Sequence, residues 1–469
     1  MTGHLLVVDS IAANRCVLKA KLSASFLDIR QAECGQEALS MIAETPPDLV
    51  IAGGDLTDMT RETFCLRHKS GGQSAAPPLI VVGPHLSRDQ RLSAMRSGAD
   101  DVLVSPLKDA PFLARIRCLL RARETVQGLR LQESAARIPG LHEETTSFDA
   151  PSSVVFAAQD GSDALRWSSF LKPLVPYRMR ALPIGDAVRT MSLYANPDCF
   201  VIGVQTNAPE EALRFLAEIR ARSTTRNSAV LMVLDREDDS TRVNALDLGA
   251  NDVMAGCFDP EEAAVRLAAI LARKRLTDRL SKSVEAGLNA AVTDPLTGLY
   301  NRRYALPQLE RIAHHAQATG HDFAVMMADL DHFKTVNDKF GHAAGDVVLA
   351  EVARRLRSQM GAGDLIARIG GEEFLIVMHN TSAQDATQMA HRLRDVVRST
   401  PVYLRARDIR VPVTVSIGVT MGHDSFATRT STSNPKRLDA GLLIERADRA
   451  LYSAKADGRD SVTMTRPAA

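Results

Sequence analysis

Short, unbroken apolar runs punctuate the first part of the chain at Leu5–Val8, Leu49–Ala52 and Leu79–Val82, separated by longer segments with apolar residues at helical spacing. Runs this short do not alternate polar with apolar, so they predict strands buried on both faces, as in parallel βα units. Similar runs return at Val154–Ala157, Phe200–Ile202 and Val230–Leu234. Two longer stretches recur with them: Ala94-Met95-Arg96-Ser97-Gly98-Ala99-Asp100-Asp101-Val102 as Ala245-Leu246-Asp247-Leu248-Gly249-Ala250-Asn251-Asp252-Val253, and Pro47-Asp48-Leu49-Val50-Ile51 as Pro197-Asp198-Cys199-Phe200-Val201-Ile202. The pattern predicts two diverged copies of one doubly wound parallel-sheet domain in roughly the first 290 residues.

Between the copies, residues 126–151 are polar and contain Pro139-Gly140, which predicts a linker. From Pro260 to about Val292 the only glycine is Gly287, and Leu276, Leu280, Val284 and Leu288 recur every fourth residue as one apolar stripe. That stripe fits a helix resting on its own domain and equally a stalk packing on a partner chain. Beyond Thr293 the pattern changes. Phe323–Asp331 is an apolar strand ending in two carboxylates, and the apolar strands Asp364–Ile369 and Phe374–Met378 flank Gly370-Gly371-Glu372-Glu373. Two glycines in so short a connection predict a tight hairpin that a ligand can approach closely.

At 469 residues the chain exceeds one ordinary core and implies about three domains. A net charge of +1 gives no global pointer to nucleic acid or to an anionic membrane. The six cysteines are scattered without a CxxC pair, which suits reduced thiols better than disulfides or zinc. No apolar run approaches the roughly 18 residues of a membrane span, and MTGHLLVVDS lacks signal-peptide architecture. The expectation is a cytoplasmic protein with no membrane insertion.

The candidate chemistry lies in the last domain. Asp329 at a strand end and Glu372 at a hairpin tip converge if their strands are neighbours, and hard oxygen ligands suit Mg²⁺ carrying substrate phosphates. Lys334, and Lys455 with Arg459 four residues apart on one helical face, can neutralise phosphate charge. Asn337 and Asp346 can read a purine edge, a carboxylate accepting from the N–H groups of guanine. Each residue alone has a plain structural explanation, and His332 and His342 fit packing or capping better than ligation. The ordered combination points to metal-assisted nucleotidyl transfer on a guanine nucleotide.

The segments Thr293-Asp294-Pro295-Leu296-Thr297-Gly298-Leu299, Asp329-Leu330-Asp331-His332-Phe333-Lys334 and Gly370-Gly371-Glu372-Glu373 resemble the GGDEF family of diguanylate cyclases in its GGEEF form, over about residues 293–465. The resemblance implies an adenylyl-cyclase-like α/β domain with a central antiparallel sheet, and condensation of two GTP into cyclic di-GMP. It assigns Mg²⁺ (or Mn²⁺) to Asp329, Glu372 and the Leu330 carbonyl, and the base for the attacking 3′-hydroxyl to Glu372. Lys334 takes the transition-state charge, Asn337 and Asp346 the guanine, Lys455 and Arg459 the triphosphate. Each domain holds one GTP, so a homodimer is part of the mechanism.

The two earlier copies resemble flavodoxin-like receiver domains of two-component signalling, and the layout resembles PleD-type response regulators. Both receiver sites are eroded. In the first, only Asp9 of the acidic pair survives, Gly53 stands at the phosphoacceptor position, and Gly83 and Ser105 replace the Thr/Ser and Lys. In the second, Ala158 and Gln159 replace the acidic pair and Gly203 the acceptor. Asp55 is an exposed loop aspartate on this view. Neither copy is expected to be phosphorylated, leaving dimerisation, docking of a protein regulator and positioning of the cyclase as their roles.

The expected division is a degenerate receiver-like domain at 1–125, a linker at 126–151, a second degenerate receiver-like domain at 152–275, a helical stalk at 276–292 and the cyclase domain at 293–469. The competing function is a non-catalytic scaffold binding GTP or cyclic di-GMP; a phosphorylation-driven adaptor conflicts with Gly53 and Gly203. Many cyclases of the family carry an Arg-x-x-Asp product-inhibition site before the signature. Here it is incomplete: Gly361 stands for the arginine, with Asp364 and Arg392 remaining.

Overall fold

The computed structural model describes residues 3–23, 28–54, 56–70, 76–136, 151–190, 197–256, 258–361, 363–422 and 440–465. Asp55, Pro139-Gly140, Cys257 and Ala362 lie outside them.

The first domain alternates β1 (His4–Val8), α1 (Ala12–Ser23), β2 (Asp28–Ala32), α2 (Gly35–Glu44), β3 (Leu49–Ala52), α3 (Arg61–Ser70), β4 (Leu79–Pro84), α4 (Arg88–Arg96), β5 (Asp101–Ser105) and α5 (Asp109–Ala136). Its strands are all parallel, in the order β2-β1-β3-β4-β5. Leu6 and Val8 face one core with Phe64, while Leu5 and Val7 face another with Phe112 and Ile116. Burial on both faces is why these strands read as continuous apolar runs.

The second domain repeats the plan with β6 (Ser153–Ala158), α6 (Gly161–Leu171), β7 (Arg178–Pro183), α7 (Ile184–Thr190), β8 (Cys199–Val204), α8 (Glu210–Ala221), β9 (Ala229–Leu234), α9 (Asp239–Asp247), β10 (Asp252–Ala255) and α10 (Pro260–Val292), its strands in the equivalent parallel order β7-β6-β8-β9-β10. Both domains share one compact unit reaching to Val284, and Glu285 onward belongs to the other. Within the first unit the repeat is visible in the contact itself. Asp101 and Arg115 recur as Asp252 and Arg266, and the four side chains form a buried ring of ion pairs at 2.7–3.2 Å.

Two sequence expectations change here. Helix α5 runs on to Ala136, so residues 126–136 are helical, not linker; Val126 is buried and Glu133 accepts a hydrogen bond from Ser283 of α10. The apolar stripe, which fits equally a helix resting on its own domain and a stalk, lies on the second half of α10, and no boundary falls at the expected position 276 because that helix is continuous from Pro260 to Val292. Leu280 and Val284 bury on their own chain, whereas Leu288 is 58% exposed. Among the described residues no helix is long and apolar enough to cross a membrane.

Both acceptor corners are filled by other side chains. A Cβ on Gly53 would lie 2.1 Å from Asp9 Oδ2, and that carboxylate already accepts hydrogen bonds from Ile11 N and Asn14 Nδ2. A Cβ on Gly203 would lie 2.8 Å from the Trp167 indole. Glycine is therefore what the present packing admits at each position.

The last domain comprises β11 (Tyr300–Asn301), α11 (Arg302–Thr319), β12 (Phe323–Leu330), α12 (Phe333–Phe340), α13 (His342–Gln359), β13 (Leu365–Arg368), β14 (Glu373–His379), α14 (Ala383–Arg398), β15 (Val402–Leu404), β16 (Ile409–Val411), β17 (Val415–Met421), α15 (Ala440–Ala456) and β18 (Val462–Met464). Its main sheet runs β11-β13-β14-β12-β17-β18. The strands from β13 to β17 are antiparallel, and only the edge pairs β11–β13 and β17–β18 are parallel. Every residue of β12 is buried.

Candidate active site

Strand β12 pairs antiparallel with β14, with Asp329 opposite Glu373, so the end of β12 meets the turn between β13 and β14. The turn is tight: Ile369 N donates to Glu373 O at 3.0 Å, and Leu330 N donates to Glu372 O at 3.3 Å. A Cβ on Gly370 would come within 2.3 Å of Glu373 Oε2, so a side chain there would have to displace the Glu373 carboxylate, while Gly371 faces open space. The hairpin and the neighbouring strand thus bring Asp329 and Glu372 together.

Their electrostatics record the crowding. Burial raises the Asp329 carboxyl above its ordinary value and Asp331 and Asp448 add to it, against the opposing charge of Lys455 at 2.8 Å. Burial raises Glu372 as well, followed by repulsion from Asp329. Two crowded carboxylates with elevated proton affinity are a favourable place for a divalent cation. Among the described residues no group of three or more acidic, His or Cys side chains converges. A metal held by Asp329 and Glu372 would complete its shell with water and substrate oxygens, the open arrangement Mg²⁺ favours.

Leaving β12, His332 takes a left-handed φ of 57° and turns the chain into α12. Lys334 is exposed on its first turn. Asn337 follows, its Oδ1 buried without a hydrogen-bond partner. A Cβ on Gly345 of α13 would lie 1.9 Å from that oxygen, so glycine clears the space the amide occupies. Asp346 is exposed beside it. An unpaired buried acceptor is costly, and a guanine N–H is the kind of donor that satisfies it.

Lys455 and Arg459 do not share a helical face. Helix α15 ends at Ala456, and Gly458, Arg459 and Asp460 take φ of 110°, 65° and 44°. This left-handed run cannot continue a helix, so Arg459 sits in a turn beyond it.

Sequence reasoning passed over two residues that hold these parts in place. Asp331 is buried and accepts from Thr414 Oγ1 at 2.8 Å, Ser416 Oγ at 2.7 Å and Asp460 N at 3.0 Å, which ties the Arg459 turn to the end of β12. Arg368 donates to the Gly371 carbonyl at 2.7 Å and pairs with Asp294 at 3.1 Å, joining the signature turn to the segment that opens the domain. Burial pushes the Asp294 carboxyl up, but the Thr297 and Arg368 donors outweigh it and hold it below the ordinary range. The available signal was position: Asp331 ends the strand that carries Asp329, and Arg368 directly precedes the hairpin.

At the candidate inhibitory site, Asp364 accepts from Gly361 N at 3.0 Å and from His379 N at 3.3 Å, and Arg392 is exposed on α14. Among the described residues nothing pairs Arg392 with Asp364.

Residues 291–461 match the family model described as diguanylate cyclase, GGDEF domain. The chain is 33% identical over 463 residues to response regulator PleD of Caulobacter vibrioides, covering 98% of this chain and 99% of that protein. It is 35% identical over 208 residues to diguanylate cyclase DgcP of Pseudomonas aeruginosa, covering 44% of this chain and 29% of that one. Among solved structures, the GGDEF domain of DgcB from Caulobacter crescentus in complex with c-di-GMP is 31% identical, covering 37% of this chain and 93% of that one, with a TM-score of 0.33.

Proposed function

We propose that this chain, which belongs to the PleD-like response regulators with a C-terminal GGDEF diguanylate cyclase domain, condenses two GTP into cyclic di-GMP and two pyrophosphates. The observation that carries the proposal is the convergence of Asp329 and Glu372, both raised in proton affinity, in a domain whose Asn337 also holds a buried, unpaired acceptor.

In each domain of a homodimer, Asn337 and Asp346 hold the guanine, and Lys334, Lys455 and Arg459 hold the phosphates. Asp329, Glu372 and the Leu330 carbonyl would hold Mg²⁺ or Mn²⁺, which supplies charge neutralisation at the phosphates. Glu372 accepts the proton of the ribose 3′-hydroxyl as that oxygen attacks the α-phosphorus of the facing GTP. The α–β anhydride bond breaks and pyrophosphate leaves; the reciprocal attack closes the ring.

The substrate places the reaction in the cytoplasm. Having lost their acceptors, the receiver-like domains serve to bring two chains together and to dock a protein regulator.

Pyrophosphate release by the purified chain tests the proposal: GTP with Mg²⁺ should support it and ATP should not. Binding of GTP without release would favour the non-catalytic scaffold.

A further inference from the structure

The acceptor corner of the second domain has been rebuilt around Trp167, with space left beside it. Beside the carboxyl ends of β6, β8 and β9 lies a cavity of about 430 Å³, within the size range of small-ligand sites and where open α/β sheets bind ligands. Its wall is aromatic. Trp167 stacks on Phe258 with ring centres 5.0 Å apart and planes 12° from parallel, and Phe170 stands beside them 53% exposed. Aromatic residues make up 4% of the chain, and its single tryptophan is this one.

The rim is acidic. Asp160, Asp163 and Asp235 line it against one cation, Arg166, which Asp163 engages at 2.7 Å; outside the lining, Arg236 approaches Asp235 at 3.9 Å. Donation from Ser162 holds Asp160 below the ordinary carboxylate range; burial nudges Asp235 up, but two donors from Thr206 outweigh it. Asp160 also caps α6, so its charge offsets the helix end that would otherwise attract an anion. Without an acceptor aspartate, the corner keeps an acidic rim and gains an aromatic wall.

We propose that this cavity binds a small organic ammonium ion, with its charge toward the rim carboxylates and its alkyl or aromatic part against Trp167 and Phe258.

Trp167 reports on the cavity directly. Titrating the full chain with choline, at constant ionic strength, should change tryptophan emission saturably. The uncharged carbon isostere dimethylbutanol should bind roughly 10-fold more weakly or worse. Asp235→Asn and Phe258→Ala should each weaken choline by about 5-fold or more; Asn at 235 keeps an acceptor for Thr206, so that variant serves if Phe258→Ala fails to fold. Absence of a saturable change, equal response to the isostere, or wild-type affinity in Asp235→Asn would overturn the proposal.

Discussion

The Lys455 ammonium stands 2.8 Å from the Asp329 carboxylate, so a lysine proposed to bind triphosphate pairs with the carboxylate proposed to bind metal. A cation arriving alone must displace it, whereas a metal–nucleotide complex gives the lysine phosphate oxygens in exchange. Lys455→Met should therefore tighten Mn²⁺ binding measured by calorimetry without nucleotide. It should also raise KM for GTP about 10- to 100-fold, through loss of a charge-assisted contact of about 1.5–3 kcal/mol. Weaker metal binding in the variant would show that the two cations do not compete.

Glu372 should leave a signature in stability as well as catalysis. Its folded-state pKa is raised by burial and by Asp329, so the native state holds this proton to higher pH than the unfolded chain does. Its ionisation then costs stability as pH rises from the unfolded value, about 4.3, through the folded one. Without metal, Glu372→Gln should melt later than wild type at neutral pH, and the gap should close below that unfolded value. Thermal melts across pH check this; a variant melting earlier at neutral pH would contradict it.

Phosphoryl mimics should act on neither receiver-like domain. Acetyl phosphate or beryllofluoride should change neither activity nor oligomeric state, while specific activity rises with protein concentration as copies associate. Gly53→Asp should not restore a response, because Gly83 and Ser105 still stand where a receiver needs Thr/Ser and Lys. A phosphoryl group mapped to Asp55 with accompanying activation would overturn this.

Much of the site was legible because its chemistry is local in sequence. Asp329 closes an apolar run, Glu372 sits in a glycine hairpin, and strand pairing does the rest. The misread Lys455–Arg459 pair shows the limit: residues four apart share a face only if the helix continues, and Gly458 and Asp460 give little warning that Arg459 itself turns left-handed. Asp331 and Arg368 were missed because their partners, Thr414, Ser416, Asp460 and Asp294, lie far along the chain. Likewise, glycine at positions 53 and 203 was readable against the receiver pattern, but the side chains that crowd those positions, Asp9 and Trp167, were visible only in three dimensions.

Product inhibition should be weak. Glycine at 361 offers no guanidinium to clamp phosphate and stack on guanine, and Asp364 is already engaged by Gly361 N and His379 N. Losing a bidentate charge-assisted contact costs about 2–3 kcal/mol, a site weaker by roughly 30- to 150-fold. The backbone at Gly361 has no left-handed φ, so Gly361→Arg should fold and partly restore inhibition. Titrating cyclic di-GMP during turnover of both proteins decides it, and tight inhibition of the wild type would refute the expectation.

The most direct test is to incubate the purified chain with GTP and Mg²⁺ and identify the product by mass, beside Glu372→Gln. The account predicts cyclic di-GMP from the wild type and a rate at least about 100-fold lower from the variant, because charge at the metal site and the base for the 3′-hydroxyl are lost together. A wild type that binds GTP but forms no cyclic di-GMP, or a Glu372→Gln protein that forms it at the wild-type rate, would contradict the account.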